Sequence, residues 1–295
     1  MKRSVWLLGV IAILLAVSAI GLTGCGSNAS GSTSNSSSSS STSELSGSLN
    51  VEGSDTMVNL ANSWAEQFMA ANPNVNISVK GGGSGNGIAA LINGTTDFAN
   101  ASRQMKAEEI SQAKAKGVNP VETAVARDGI AVIANPANPV TGLTIDQLGK
   151  IYRGEITNWK EVGGADKAIV LLSRDSSSGT YEYFKEAVVG KDKNYAKSAK
   201  LLPSTQAIVD ETAGNDAAIG YIGIGYETPA VKVLKIDGVA ATVDTVLDSS
   251  YPISRDLYVY TNGDPTGVGK AYMEWILGTE GQKVVQDEGF VPLGQ

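Results

Sequence analysis

Three short segments carry residue types suited to holding an anion. They are Gly53-Ser54-Asp55-Thr56-Met57, Gly81-Gly82-Gly83-Ser84-Gly85-Asn86-Gly87 and Arg174-Asp175-Ser176-Ser177-Ser178-Gly179-Thr180. Each follows an apolar run that reads as a strand and precedes a segment that reads as a helix. A helix N-terminus carries unpaired N–H groups and about half a positive charge. Hydroxyls can donate to an anion there, and glycines let the backbone approach it closely. Taken singly, each segment is also what an ordinary N-cap or loop looks like, and Arg174 could simply form a surface ion pair with Asp175. Three on one chain point to convergence on one ligand. Nucleotide motifs fail on spacing: Gly269-Lys270 is followed by Ala271, and the glycine cluster does not spell Gly-x-Gly-x-x-Gly.

The elements that must position these turns alternate between strand and helix. Strands are predicted at Leu49–Glu52, Val75–Lys80, Thr96–Ala101, Ile130–Ala134, Ala168–Leu172, Ala217–Ile222, Val231–Ile236 and Leu257–Thr261. Helices are predicted at Asp55–Ala71, Gly87–Ile92, Lys106–Lys116, Thr144–Tyr152, Thr180–Val189, Gly267–Leu277 and Glu280–Asp287. In the first of these helices Met57, Leu60, Ala61, Trp64 and Phe68 share a face. Such alternation argues for α/β architecture with mostly parallel sheets, in which ligands bind where strands end and helices begin.

Composition removes several classes of function. The 295 residues include no histidine and one cysteine. Ser-His-Asp, Cys-His and His-ligated zinc chemistry are therefore excluded, as are disulfides. Ser111-Gln112-Ala113-Lys114 has the Ser-x-x-Lys spacing of penicillin-recognising enzymes, but lies on a charged helix without the companion motifs. Hydrolysis is left without a strong candidate base, and no metal or cofactor is called for. There is no basic run interleaved with aromatics, so nucleic acid is not an expected partner.

The N-terminus reads as an export signal over residues 1–24. Lys2 and Arg3 precede an apolar run from Val5 to Leu22, which ends at Leu22-Thr23-Gly24-Cys25. Small residues before a sole cysteine resemble a bacterial lipobox, with Cys25 lipidated; a transmembrane anchor is the other reading. Residues 25–48 form the lipidated end and a Ser-rich tether, whose random-coil reach is about 25 Å. With Lys2 and Arg3 removed, 21 basic residues face 30 acidic ones. A net negative protein can still bind an anion, because remote charges are screened beyond about 8 Å at physiological salt.

With these turns in view, the chain resembles the phosphate-binding proteins of high-affinity phosphate ABC transporters. The resemblance rests on Gly53–Met57, Gly82–Gly87, Asp97-Phe-Ala-Asn-Ala-Ser-Arg103, Ile151-Tyr-Arg-Gly-Glu-Ile-Thr-Asn-Trp159, Arg174–Thr180 and Ala218-Ile-Gly-Tyr221. It implies a two-lobed type II solute-binding fold: two mixed-sheet α/β domains joined by a hinge, with the ligand in the cleft. Residues 49–126 plus 251–295 would form one lobe and 127–250 the other. By analogy, Ser54, Thr56, the Met57 amide, Ser84, Ser102 and Arg103 bind from the first lobe. Arg174, Ser178, Gly179 and Thr180 bind from the second. Arg255, near the second crossing, is either a cleft residue or a hinge ion pair.

The resemblance further implies a monomeric, lipid-anchored protein on the extracytoplasmic face of the cell membrane, a carrier and not an enzyme. It would pass inorganic phosphate to the permease subunits of an importer. Two departures bear on selectivity. The family's aspartate that accepts the ligand's proton is Arg103 here, and the aspartate two residues beyond the site arginine is Ser176. An acceptor-only carboxylate is what rejects fully ionised sulfate, so Asp128 and Asp175 become the candidate substitutes. Other oxyanions such as sulfate, molybdate or arsenate are the alternative ligands, and a secreted phosphatase the alternative class.

Overall fold

A computed structural model describes residues 44–294. The expected signal peptide, Cys25 and most of the expected tether lie outside these residues. β1 (Gly47–Gly53) leads through a 3-10 turn (Asp55–Met57) into α1 (Val58–Ala71). β2 (Val75–Lys80), α2 (Ser84–Ile92), β3 (Phe98–Ala101) and α3 (Ala107–Ala115) follow. The long β4 (Pro120–Ala134) leads to β5 (Gly142–Leu143), α4 (Ile145–Arg153), β6 (Val170–Arg174) and α5 (Gly179–Phe184), which continues as a π-helix to Gly190. Then come β7 (Lys200–Leu202), α6 (Thr205–Gly214), β8 (Ala218–Gly223), β9 (Lys232–Ile236), α7 (Val243–Leu247), β10 (Ser254–Asn262), α8 (Gly267–Leu277) and α9 (Thr279–Asp287).

The strands run in the order β2-β1-β3-β10-β4-β8-β6-β7, with β9 on β4 and β5 on β9. The sheet is mixed rather than mostly parallel. β1 pairs in parallel with β2 and β3, and β6 with β7 and β8, as strand–helix–strand units require. The two long strands depart from that rule: β10 is antiparallel to β3 and β4, and β4 is antiparallel to β8 and β9. β4 belongs to both halves. Its residues 120–129 pair with β10 and its residues 130–134 pair with β8, so the chain crosses between halves inside a strand.

Helices cover the sheet by their apolar faces. α1 buries Leu60, Ala61, Trp64, Ala65 and Phe68, and the Trp64 indole donates to Gly281 O at 2.8 Å. Under α2 and α3 sits a smaller core of Ile88, Leu91, Ile92, Ala113, Val118 and Tyr260. Several boundaries differ from expectation. β1 takes Gly47 and Ser48, assigned above to the tether. β4 begins ten residues before Ile130, because Glu122, Arg127 and Asp128 interrupt the apolar run that marks its second half. β7 and α6 escape the sequence reading: β7 has three residues, and two of the four buried residues of α6 are threonines.

Candidate functional site

The three turns lie where β1, β2 and β6 run out into the 3-10 turn, α2 and α5. α2 starts at Ser84, three residues earlier than predicted, so Gly85 and Gly87 are helical. Close approach explains Gly87: a Cβ there would lie 2.4 Å from Glu52 O and 2.5 Å from Gly53 Cα. The first helical turn of α2 is thereby pressed against the end of β1. Gly179 does the same between halves. A Cβ on it would lie 2.4 Å from Ser84 Oγ and 2.6 Å from Ser102 Oγ.

At this junction hydroxyls meet. Thr56 Oγ1 and Thr180 Oγ1 are 2.8 Å apart, and Ser84 Oγ lies 3.2 Å from Ser102 Oγ while accepting from Ser102 N at 3.0 Å. Ser54, Thr56, Ser84, Ser102, Ser178 and Thr180 are all buried. Further contacts seal the halves together: Gly85 N donates to Ser177 O at 2.9 Å, Ser177 Oγ donates to Gly82 O at 3.2 Å, and Tyr183 donates to Ser254 O.

Two charged groups sit inside the cluster. Asp128 is fully buried; its Oδ2 accepts from Arg255 Nε at 3.1 Å and Nη2 at 2.8 Å, and its Oδ1 accepts from Ile224 N at 3.1 Å. Burial pushes the Asp128 carboxyl up from the usual carboxylate range, against the pull of Arg255 and of the Ile224 amide. Arg255 also donates to Thr180 Oγ1 at 2.9 Å and to Ser102 O at 2.9 Å. It is therefore both of the things left open above: an ion-paired residue at the crossing and a donor inside the cleft. Its place shows only once β10 is seen to run antiparallel beside β4, setting Arg255 opposite Asp128.

Arg174 is buried at the end of β6. Its Nη1 donates to Thr205 Oγ1 at 2.8 Å and its Nη2 to Pro203 O at 2.9 Å. Its carboxylate partner is Asp55, at 3.3 Å, and not Asp175. Burial lowers the Arg174 pKa, while Asp55 and Asp175 oppose that. Asp175 instead accepts from Ser177 N at 2.8 Å and Ser177 Oγ at 2.5 Å, which closes its own turn. Arg103, expected among the anion-binding residues, is itself ion-paired. Its two terminal nitrogens grip Glu109 at 2.7 and 2.8 Å, and Nη1 also reaches Gln104 O. Two backbone amides near the junction have protein partners: Met57 N donates to Ser54 O at 3.1 Å, and Thr180 N to Ser178 Oγ at 3.2 Å.

Among the described residues, the buried side-chain polar atoms with no hydrogen-bond partner are Ser54 Oγ, Arg103 Nε and Arg174 Nε. All three are potential donors, and all three belong to segments expected to bind an anion. Leaving a buried donor unpaired costs about 1–3 kcal/mol, so the set suits a ligand made of acceptors. Beside the cluster, a cavity of about 480 Å³ shares Arg103 and Arg255 with it and is otherwise lined by residues of mixed charge, including Lys106 and Glu182.

The chain has relatives. Residues 36–280 match the model of the PBP superfamily domain. The chain belongs to the PBP superfamily. Among similar curated members is the Phosphate-binding protein PstS of Bacillus subtilis (strain 168), 35% identical over 287 residues, which cover 96% of this chain and 93% of that one. The protein of the same name from Pseudomonas aeruginosa (strain UCBPP-PA14) is 34% identical over 272 residues, 84% of each chain. A crystal structure of a phosphate ABC transporter substrate-binding protein with bound phosphate from Clostridium perfringens superposes with a TM-score of 0.79 at 36% identity, covering 84% of this chain and all of that one. A phosphate transport receptor from Vibrio cholerae gives 0.69 at 28% identity, covering 83% of this chain and all of that one. The two-lobed PBP architecture is thus shared along nearly the whole length of these superfamily members.

Proposed function

We propose that this protein captures inorganic phosphate outside the cytoplasm and delivers it to an ABC importer, as a monomeric carrier held at the membrane by lipid on Cys25. The observation that carries this reading is the set of buried, unpartnered donors, Ser54 Oγ, Arg103 Nε and Arg174 Nε, beside a knot of serine and threonine hydroxyls. The likeness to phosphate-binding relatives supports the choice of anion. The lobes are residues 49–126 plus 251–295 and residues 127–250, and capture is closure of one upon the other around the ligand. The site comprises Ser54, Thr56, Met57, Ser84, Ser102 and Arg103 from the first lobe, with Arg174, Ser178, Gly179 and Thr180 from the second. Charge-assisted hydrogen bonds contribute about 1.5–3 kcal/mol each, and micromolar affinity needs about 8 kcal/mol. Four to six such bonds meet that figure with closure included.

Asp128 is the acceptor that replaces the missing aspartate. Both of its Arg255 bonds fall on Oδ2, so Oδ1 has only the Ile224 amide and keeps capacity for one more donor. A phosphate P–OH supplies that donor, whereas sulfate presents only acceptors. Asp175, engaged by Ser177 in its own turn, is the weaker candidate. Calorimetric titration of the full-length protein in detergent, stripped of carried-over anion, tests both points. Phosphate should bind at micromolar affinity or tighter with no heat from sulfate, and Asp128→Asn should narrow that preference. Equal binding of both anions by the unaltered protein would remove the acceptor role, and binding of neither would remove the function.

A further inference from the structure

Asp55 is anchored in one half of the molecule and bonded to the other. It follows β1 directly, yet its Oδ2 accepts from Thr205 N at 2.6 Å and lies 3.3 Å from Arg174 Nη1. Its backbone carbonyl accepts from Tyr226 OH at 2.9 Å. Thr205, Arg174 and Tyr226 all belong to the half built on β6 and β8. Within that half, Arg174 is held by neutral groups, Pro203 O and Thr205 Oγ1. The adjacent Asp175 spends its carboxylate on Ser177. Among the described residues, Asp55 is the carboxylate that pairs with Arg174, and that pair runs from one half to the other.

We propose that Asp55 is a closure latch, a positioning residue that gives Arg174 its counter-ion in the closed state and withdraws it in the open state. This rests on the phosphate-binding reading above. In the open state the guanidinium keeps only its neutral partners, Pro203 O and Thr205 Oγ1, and attracts an anion. On closure Asp55 neutralises part of that charge and, through the Thr205 amide at the start of α6, ties the two halves. The latch therefore sets how long the closed complex lasts more than how fast it forms. Affinity differences between related complexes fall mainly on dissociation rates.

The test is Asp55→Asn in the full-length protein. Inorganic phosphate release should accelerate about tenfold, the loss of one charge-assisted bond, while the association rate constant changes by less than about twofold. A second readout is hydrogen exchange at the Gly85 amide. That group donates across the cleft to Ser177 O and does not touch Asp55, so a merely local role for Asp55 would leave it unmoved; protection there should fall in the variant. Tyr226→Phe removes the other bond that Asp55 takes from the opposite half, the hydroxyl donating to its backbone carbonyl, and leaves the partners of Arg174 in place. It should shift both readouts in the same direction and serves if the Asn variant fails to fold. Release at or below the unaltered rate, or unchanged Gly85 protection, overturns the latch. If the unaltered protein binds no phosphate, the function fails, and exchange at Gly85 in the ligand-free protein still decides the latch.

Discussion

A single side chain can hold a loop in place, and Glu109 does so beside the candidate site. Its carboxylate takes two bonds from Arg103 and one from Lys106 N at 2.8 Å. Burial alone would raise its pKa, but these hydrogen bonds and charges outweigh it and hold the group below the usual value of 4.5. A carboxylate lowered on folding binds fewer protons in the native state. Its contribution is therefore present above pH 4.5 and lost as pH falls through its own lower pKa. Glu109→Gln should cost about 1–2 kcal/mol near neutral pH, and its deficit against the unaltered protein should narrow below about pH 4 in denaturant titrations. Most of the residues that meet at the junction could be read from the sequence, because hydroxyls and glycines at strand-to-helix turns have a recognisable spacing. Partnerships could not. That Arg174 pairs with Asp55, and Asp128 with Arg255, depends on contacts between residues more than 100 positions apart, and no local pattern records them.

Among the elements, α1, β2 and α8 were legible because an apolar stripe or clean alternation coincides with clear stop signals, such as Asn72-Pro73-Asn74 after α1. α2 was legible only in part. Glycine disfavours a helix interior by about 1 kcal/mol relative to alanine, which hid its first turn, yet the tertiary fit of Gly87 against β1 overrides that cost. The same conflict yields a prediction at α5. Gly179→Ala should help the isolated helix slightly, by up to about 1 kcal/mol. Its Cβ would strike the hydroxyls of Ser84 and Ser102 across the cleft. Phosphate affinity should therefore fall at least about tenfold while the melting temperature without ligand holds or rises. Calorimetry and thermal scans on one preparation separate the two effects. An affinity equal to that of the unaltered protein would mean that α5 does not approach α2 in the bound state.

For the molecule as a whole, a ligand clasped between halves should act as a stabiliser of the fold. At a phosphate concentration about a thousand times the dissociation constant, linkage adds about 4 kcal/mol. For a folded region of this size that raises the melting temperature by about 10 °C. Scans with phosphate and with an equal concentration of sulfate should differ by about that amount. The order of strands in the sheet has a further consequence, which concerns time. β10 lies between β3 and β4, so the middle of the first half is supplied by residues 254–262, near the end of the chain. A chain that emerges amino end first, at about 5–20 residues per second, leaves β3 waiting on the order of 8–30 seconds for its neighbour. Throughout that interval β3 and the first part of β4 are unpaired edges, the kind of surface that invites wrong pairing. The lobe that contains β1 can complete its sheet only when β10 arrives, after every strand of the other lobe has been made.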